Sequence, residues 1–147
     1  MNLSKRGRPD RGDRGQALVE FAACAVLLVM LLLGVVEFGR MVLAYTTICN
    51  AARIGTRFAM THGSDNLATT AQIQSVVNNY LSAAAIDTSS ATVTVNYPGY
   101  TGLGCASGGT SPGCPVTVSV SYAYQTMVTY YPINVTLASE SEGVVTF

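Results

Sequence analysis

Residues 14–36 read RGQALVEFAACAVLLVMLLLGVV, and this stretch decides the fold. After Glu20 come sixteen uncharged and mostly apolar residues, 21–36. At about 1.5 Å of rise per residue, a helix of that length is shorter than the roughly 30 Å hydrocarbon core of a bilayer. The apolar helix must therefore extend in both directions, and we predict a transmembrane segment at about residues 17–44.

Basic residues are concentrated before this segment. The chain has 8 Lys and Arg against 8 Asp and Glu, but most of its cations lie in the first fifteen residues. They are Lys5, Arg6, Arg8, Arg11 and Arg14. A basic segment beside a hydrophobic helix stays on the cytoplasmic side of the membrane. We therefore expect residues 1–15 to form a cytoplasmic leader and the bulk of the chain to be exported. A basic tail can also bind nucleic acid, but its position against the helix favours the topological role.

A cleaved secretory signal is the obvious alternative for such an N-terminus. That pattern needs a short apolar core followed by a cleavage site with small residues. Here the apolar stretch continues to Val36 and, after Glu37-Phe38-Gly39-Arg40, resumes in Met41-Val42-Leu43-Ala44. The helix is therefore expected to remain attached to the exported part.

Three charged residues interrupt the apolar segment. A carboxylate near the middle of a membrane helix costs roughly 2.5–3.5 kcal/mol on insertion scales, and less near its end. Glu20 is therefore either solvated at headgroup level or paired with a positive group on a partner. Glu37 and Arg40 are three residues apart and can pair on one helix face near the outer interface. Alternatively, each side chain extends separately to water.

The helix is expected to continue beyond the membrane, because no proline occurs between residues 10 and 97. Apolar residues recur at near-helical spacing on one side, whereas Asn50, Arg53 and Arg57 lie on the other. The apolar positions are Ile48, Ala51, Ala52, Gly55, Phe58 and Ala59. We predict one helix over about residues 16–61, amphipathic in its upper half and packed there against a folded domain.

Residues 62–147 are predicted to form that exported domain, of the α+β class. A second amphipathic helix is expected at about Asn66–Ala85, capped by Ser64 or Asp65. Its apolar stripe recurs at positions i, i+3, i+4, i+7 and i+8. The stripe consists of Ile73, Val76, Val77, Tyr80, Leu81 and Ala84.

Period-two alternation after Asp87 predicts a small antiparallel sheet of three to four strands. The first strand alternates over residues 92–97 and the second, more regularly, over residues 116–124. A third begins at Ile133, and residues 144–147 either extend it or form a fourth. Valines and tyrosines are expected to face the helices, with threonines and serines on the opposite face.

The four cysteines differ in their surroundings. Cys105 and Cys114 flank a loop rich in Gly, Ser and Thr on the exported side, where disulfides persist, and we predict that they pair. Cys24 and Cys49 lie on the long helix and are expected to be buried free thiols. A zinc site needs about four ligands. No histidine or second cysteine pair lies near these cysteines in the sequence, so no metal site is predicted.

Three pieces of the N-terminal half resemble TadE-like pseudopilins of tight-adherence (Flp) pilus systems, in the type IV pilin-like superfamily. The first is Arg14-Gly15-Gln16-Ala17-Leu18-Val19-Glu20-Phe21, a basic leader ending in Gly with Glu at the fifth position after it. The second is Val36-Glu37-Phe38-Gly39-Arg40, and the third is Asn50-Ala51-Ala52-Arg53-Ile54-Gly55-Thr56-Arg57-Phe58-Ala59. The resemblance covers roughly residues 14–60.

The resemblance implies a pilin-like fold and a processing step. A prepilin peptidase would cut between Gly15 and Gln16 on the cytoplasmic side, with Glu20 and Phe21 as recognition and assembly residues. The new amine of Gln16 would then pair with Glu20 of the same or a neighbouring subunit, and pairing offsets much of the cost of a charge in lipid. The implied partners are other pilins or pseudopilins and the pilus assembly platform in a bacterial inner membrane.

A catalytic site is not predicted. With His62 as its one histidine and few carboxylates, the exported part has little from which to build a catalytic triad. No Gly-rich phosphate loop precedes a helix, and no cofactor is expected. The first hypothesis is a non-enzymatic, TadE-like pseudopilin or minor pilin. The alternative is an uncleaved single-pass membrane protein, its C-terminal domain periplasmic or extracellular, whose exported domain is a protein-binding module.

Overall fold

The computed structural model describes residues 11–62, 68–100, 104–127 and 135–146. In these residues the chain forms two α-helices, a 3₁₀ turn and three β-strands, which confirms the predicted α+β class. The elements are α1 (Arg11–Thr61), α2 (Thr70–Ala83), the 3₁₀ turn (Thr88–Ser90), β1 (Ala91–Asn96), β2 (Pro115–Tyr124) and β3 (Val135–Val144). The chain divides into an N-terminal unit, Met1–Phe38, and a C-terminal unit, Gly39–Phe147.

In the N-terminal unit, α1 is a helix with apolar side chains exposed around it. Leu18, Leu27 and Leu31, for example, are each exposed over more than 60% of their surface. From Gly15 onward the helix is long and apolar enough to cross a membrane. Such exposure is costly in water but favourable in lipid.

The helix begins earlier than predicted, at Arg11 instead of about Gln16. Gly12 and Gly15 each cost about 1 kcal/mol in a helix, yet neither stops it. The long helix that follows supplies the nucleus, and adding a turn to an existing helix is far easier than starting one. The end at Thr61 agrees with the prediction.

In the C-terminal unit, the second half of α1 packs against α2 and the inner face of the sheet. Its predicted apolar face is buried, with Ile48, Ala51, Ala52 and Ala59 fully inaccessible to solvent, whereas Asn50, Arg53 and Arg57 are exposed. The core is completed by side chains from α2 and β2. They are Ile73, Val77, Leu81, Val116, Val118 and Val120.

Helix α2 begins later than predicted, at Thr70 instead of about Asn66. Thr69 is its N-cap: the Gln72 N–H donates to Thr69 Oγ1 over 3.3 Å, and the Thr69 N–H donates to Gln72 Oε1 over 2.9 Å. This reciprocal capping box satisfies two free donors of the helix start. The proposed caps Ser64 and Asp65 lie outside the described residues. The predicted apolar stripe of α2 lies on the buried side of the helix, but Ala84 is exposed.

The described strands form one antiparallel sheet in the order β1-β2-β3. Val120 of β2 lies between Val93 of β1 and Ser139 of β3. The third strand is a single ten-residue element that pairs with β2 along its whole length. Ile133, the predicted start of the third strand, lies outside the described residues. Of the two alternatives for residues 144–147, extension of the third strand agrees with β3 as far as Val144. The part of β3 with the weakest strand pattern is residues 138–143. Their serines and glutamates lack the apolar alternation that identifies a strand.

The second half of β3 is held directly against α1. Thr56 Oγ1 lies 3.0 Å from both Ala52 O and Ser141 O, so this buried hydroxyl links its own helix to the strand. A side chain at Gly143 would lie 2.8 Å from Thr56 Cγ2. The inner positions of this part of β3 are therefore small because the helix approaches the strand closely.

Gly55 allows α2 and β2 to approach α1, which leads to the first prediction. A Cβ atom there would lie 2.6 Å from Val77 Cγ2 and 3.1 Å from Val118 Cγ1. Although alanine is the better helix former, Gly55→Ala should lower the free energy of unfolding by about 1–3 kcal/mol through overpacking. Circular dichroism of denaturant unfolding, on the full chain in detergent, measures this.

Gly39→Ala is the matched control, because nothing lies within 4 Å of a Cβ at Gly39 on the same helix. Its stability should be unchanged or slightly raised. Equal stability of the Gly55→Ala variant and the parent chain would show that the helix contact tolerates an additional methyl group.

Candidate processing and assembly site

The predicted cleavage junction lies on α1. Gly15 and Gln16 are both exposed, and nothing lies within 4 Å of a Cβ at Gly15. Two glycines occur in residues 11–15, whereas none occurs in residues 16–33. Helix-forming tendency therefore rises at this junction, and the turn before it is easier to unwind than the turns that follow.

Glu20 and Phe21 lie on the next turn of α1. Both are exposed, Phe21 over 73% of its surface. Among the described side chains, none forms an ion pair with the Glu20 carboxylate. A carboxylate beside apolar residues of a membrane helix is costly in free energy. A cation supplied from outside the described residues would lower that cost.

Glu37 and Arg40 lie three residues apart on α1, Glu37 half-buried and Arg40 exposed. Each takes part in an interaction within the structure. Arg40 also lines a groove of about 220 Å³ in the C-terminal unit, together with Ile86, Tyr122 and Tyr124. The mutual pairing of Glu37 and Arg40 stays a prediction.

A disulfide joins Cys105 and Cys114, whose Cα atoms are 5.6 Å apart. Both residues are buried. Cys114 is also bound to the segment that follows β3, because the Val145 N–H donates a hydrogen bond to Cys114 O over 2.9 Å. The disulfide therefore ties the loop before β2 to the segment that follows β3.

The expectation of buried thiols on α1 is wrong for Cys24 and only partly right for Cys49. Cys24 is exposed and Cys49 is half-buried. The described residues provide no protein core around Cys24, which lies in the part of α1 that is long and apolar enough to cross a membrane.

Titratable groups of the C-terminal unit have structural roles. Ser89 donates hydrogen bonds to the Asp87 carboxylate from its hydroxyl and its backbone N–H, and these lower the Asp87 pKa. Burial raises the pKa of Tyr97. His62 stacks on Phe58 with ring centroids 4.1 Å apart. Within the described residues, no cluster of three or more His, Cys, Asp or Glu could hold a metal ion.

Residues 15–57 match the family model described as TadE-like protein. Over this segment the chain is similar to TadE-like proteins. The TadE-like segment starts at Gly15 and includes Glu20, Phe21 and the Glu37/Arg40 positions, whereas Cys105 and Cys114 lie outside it. The comparisons with curated proteins and with solved structures found no match.

Loss of the disulfide should destabilise the C-terminal unit. The two cysteines are 9 residues apart, and closing a loop of this size stabilises a domain by about 2–3 kcal/mol, chiefly by restricting the unfolded chain. The double variant Cys105→Ser/Cys114→Ser should lose that amount in denaturant unfolding of the full chain. Reduction of the parent protein should have the same effect.

Cys49→Ser serves as the control, since Cys49 is a free thiol and its replacement leaves the crosslink intact. An unfolding midpoint that is the same in the parent and the double variant would contradict a stabilising role for the disulfide.

Proposed function

We propose that this TadE-like chain is a pseudopilin or minor pilin, a non-enzymatic component for the assembly of a Flp-type (tight-adherence) pilus. The observation that carries the proposal is the TadE-like match over residues 15–57, which begins at the predicted junction and continues through the apolar helix. A helix long and apolar enough to cross a membrane supports a single-pass membrane protein.

Processing is the first step of the proposed function. A prepilin peptidase cuts between Gly15 and Gln16 and removes the basic leader. A protease needs an extended substrate, and the turn before the junction contains Gly12 and Gly15, each of which weakens a helix by about 1 kcal/mol relative to Ala. The glycines therefore favour local unwinding next to the bond to be cut.

The new N-terminus then supplies a cation for Glu20, which forms no ion pair with the described side chains. The α-amino group of Gln16 and the Glu20 carboxylate are four residues apart, so they lie one turn apart on the same helix face. In a low-dielectric surrounding, an ion pair costs less than two separate charges. The pair forms within a subunit or between neighbouring subunits, where it sets the axial register of parallel helices.

The proposed location follows from the charge distribution. The leader is on the cytoplasmic side of a bacterial inner membrane and the C-terminal unit is on the periplasmic or extracellular side, as the positive-inside rule predicts. The partners are the prepilin peptidase, other pilins or pseudopilins and the assembly platform. After cleavage the protein remains in the membrane or enters the pilus.

The N-terminal residue of the protein isolated from membranes tests this proposal directly. In cells with the prepilin peptidase, intact mass and N-terminal sequencing should give Gln16 as the first residue. In cells without the peptidase, the leader should be retained. Gly15→Leu should block cleavage, whereas Gly7→Leu, the same change farther from the junction in the leader, should permit it.

A start at Met1 in both strains would overturn the proposed processing. The chain would then be a plain signal-anchored protein, and the alternative of a protein-binding module on the exported side would be favoured.

Glu20→Ala tests the assembly role separately. The variant should insert normally, because removing a carboxylate from an apolar helix makes insertion easier by up to about 3 kcal/mol. Piliation should be lost, because the Gln16 amine has no partner. Membrane fractionation and electron microscopy of cells measure the two properties.

Glu37→Ala is the control for removing a carboxylate from the same helix, and it should have a smaller effect on piliation. Normal piliation of the Glu20→Ala strain would contradict the assembly role of Glu20.

A further inference from the structure

The C-terminal unit has polar surfaces on two opposite sides. One is the outer sheet face, the side of the sheet turned away from α1. It carries mainly short side chains and two carboxylates: Thr92, Thr94, Ser119, Ser121, Glu140 and Glu142. The other surface is the exposed stripe of α1 formed by Asn50, Arg53 and Arg57, which we call the helix stripe.

The charges of the two surfaces have no partners within the described part of the chain. Arg53, Arg57, Glu140 and Glu142 are exposed, and none forms an ion pair with another described residue. One copy cannot pair them internally, since α1 covers the inner sheet face and the two surfaces therefore point in opposite directions. Asp87 differs, because Ser89 and Ser90 bind its carboxylate.

The two surfaces match in spacing. Arg53 and Arg57 are four residues apart on a helix, which corresponds to about 6 Å of axial rise. Glu140 and Glu142 are two residues apart on a strand and point to the same side, which corresponds to about 6.5–7 Å. Two cations on one surface can therefore face two carboxylates on the other at the same time.

The two surfaces also match in height along α1. Ser141 lies between the two glutamates, and its carbonyl is 3.0 Å from Thr56 Oγ1. On α1, Thr56 lies three residues after Arg53 and directly before Arg57. Both charge pairs therefore lie at about the same level in each copy. The charges of two C-terminal units that stand side by side at the same level therefore meet without an axial shift.

We propose that C-terminal units of two copies of this chain dock, with the outer sheet face of one copy against the helix stripe of the next. The contact uses different surfaces on the two copies, so each copy can bind one neighbour on each side. The short side chains of the sheet face allow a helix to approach closely. The inference goes beyond the proposed function and does not depend on cleavage at Gly15.

Confinement to the membrane makes such a contact effective. An exposed ion pair contributes only about 0–1 kcal/mol, so two pairs do not hold freely diffusing copies together. Chains that share a bilayer have a much higher effective concentration. The contact is expected to weaken with salt, because exposed charges are screened within about 10 Å at 0.1 M ionic strength.

Zero-length crosslinking tests the contact. The double variant Arg53→Lys/Arg57→Lys keeps both charges and introduces amines that a carbodiimide joins to a touching carboxylate. The full, uncleaved chain is reconstituted in liposomes as a mixture of isotope-labelled and unlabelled copies, without peptidase. Mass spectrometry should then find the introduced amine at position 53 or 57 joined to Glu140 or Glu142, in peptides that combine both labels.

Two further variants of this doubly substituted chain serve as comparisons. Adding Glu140→Gln/Glu142→Gln should reduce crosslinked dimers about tenfold, whereas adding Asp87→Asn should leave them unchanged, because Asp87 lies outside the proposed surface. Raising the salt from about 0.05 to about 0.5 M should lower the yield several-fold. Circular dichroism verifies that each variant is folded.

Three results would overturn the proposal: no crosslink between copies, crosslinks of the introduced amines only within one copy, or crosslinks only to other carboxylates such as Asp87. Because the liposomes contain the uncleaved chain alone, such a result would leave the proposed processing and pilus role unaffected. Conversely, failure of cleavage in cells would leave the docking surface intact.

Discussion

The close contact between the second half of α1 and the rest of the C-terminal unit determines how this domain is built. The contact depends on small residues: Ala51, Ala52 and Ala59 are fully buried, and Gly55 leaves no room for a methyl group between α1, Val77 and Val118. Because the helix is so near, β3 has small residues on its inner side, and Thr56 can reach the carbonyl of Ser141. A larger side chain at any of these positions would separate the layers of the core.

One helix thus serves two different surroundings. In the N-terminal unit its apolar side chains are exposed, which suits lipid, whereas in the C-terminal unit only one face is apolar and that face is covered by protein. Charged residues follow the same division. Glu20 lies in the apolar part, whereas Arg53 and Arg57 lie on the polar side, where they are exposed.

The two helices and the second strand were largely predictable, because each has a strong hydrophobic period. The first and last residues of these elements were less predictable. The start of α1 at Arg11 was missed because the residues before Gln16 are polar and include two poor helix formers. The start of α2 was missed because the cap was expected at Ser64 or Asp65, whereas Thr69 caps the helix. For β3 the sequence left open whether the strand continues to residue 144, since Ser139, Ser141 and Gly143 are small on the side where strands normally carry apolar residues.

Three features follow from the amino-acid sequence alone, because they depend on local composition and spacing: the membrane-length helix, its amphipathic continuation and the TadE-like pattern from Gly15 onward. It also indicated the Cys105–Cys114 pair, from the compartment and the loop between them. Tertiary contacts, by contrast, fix the full length of β3, the contact of Thr56 with that strand and the equal height of Glu140, Glu142, Arg53 and Arg57. The last two features join residues more than 80 positions apart, and no local pattern encodes which distant backbone a helix will meet.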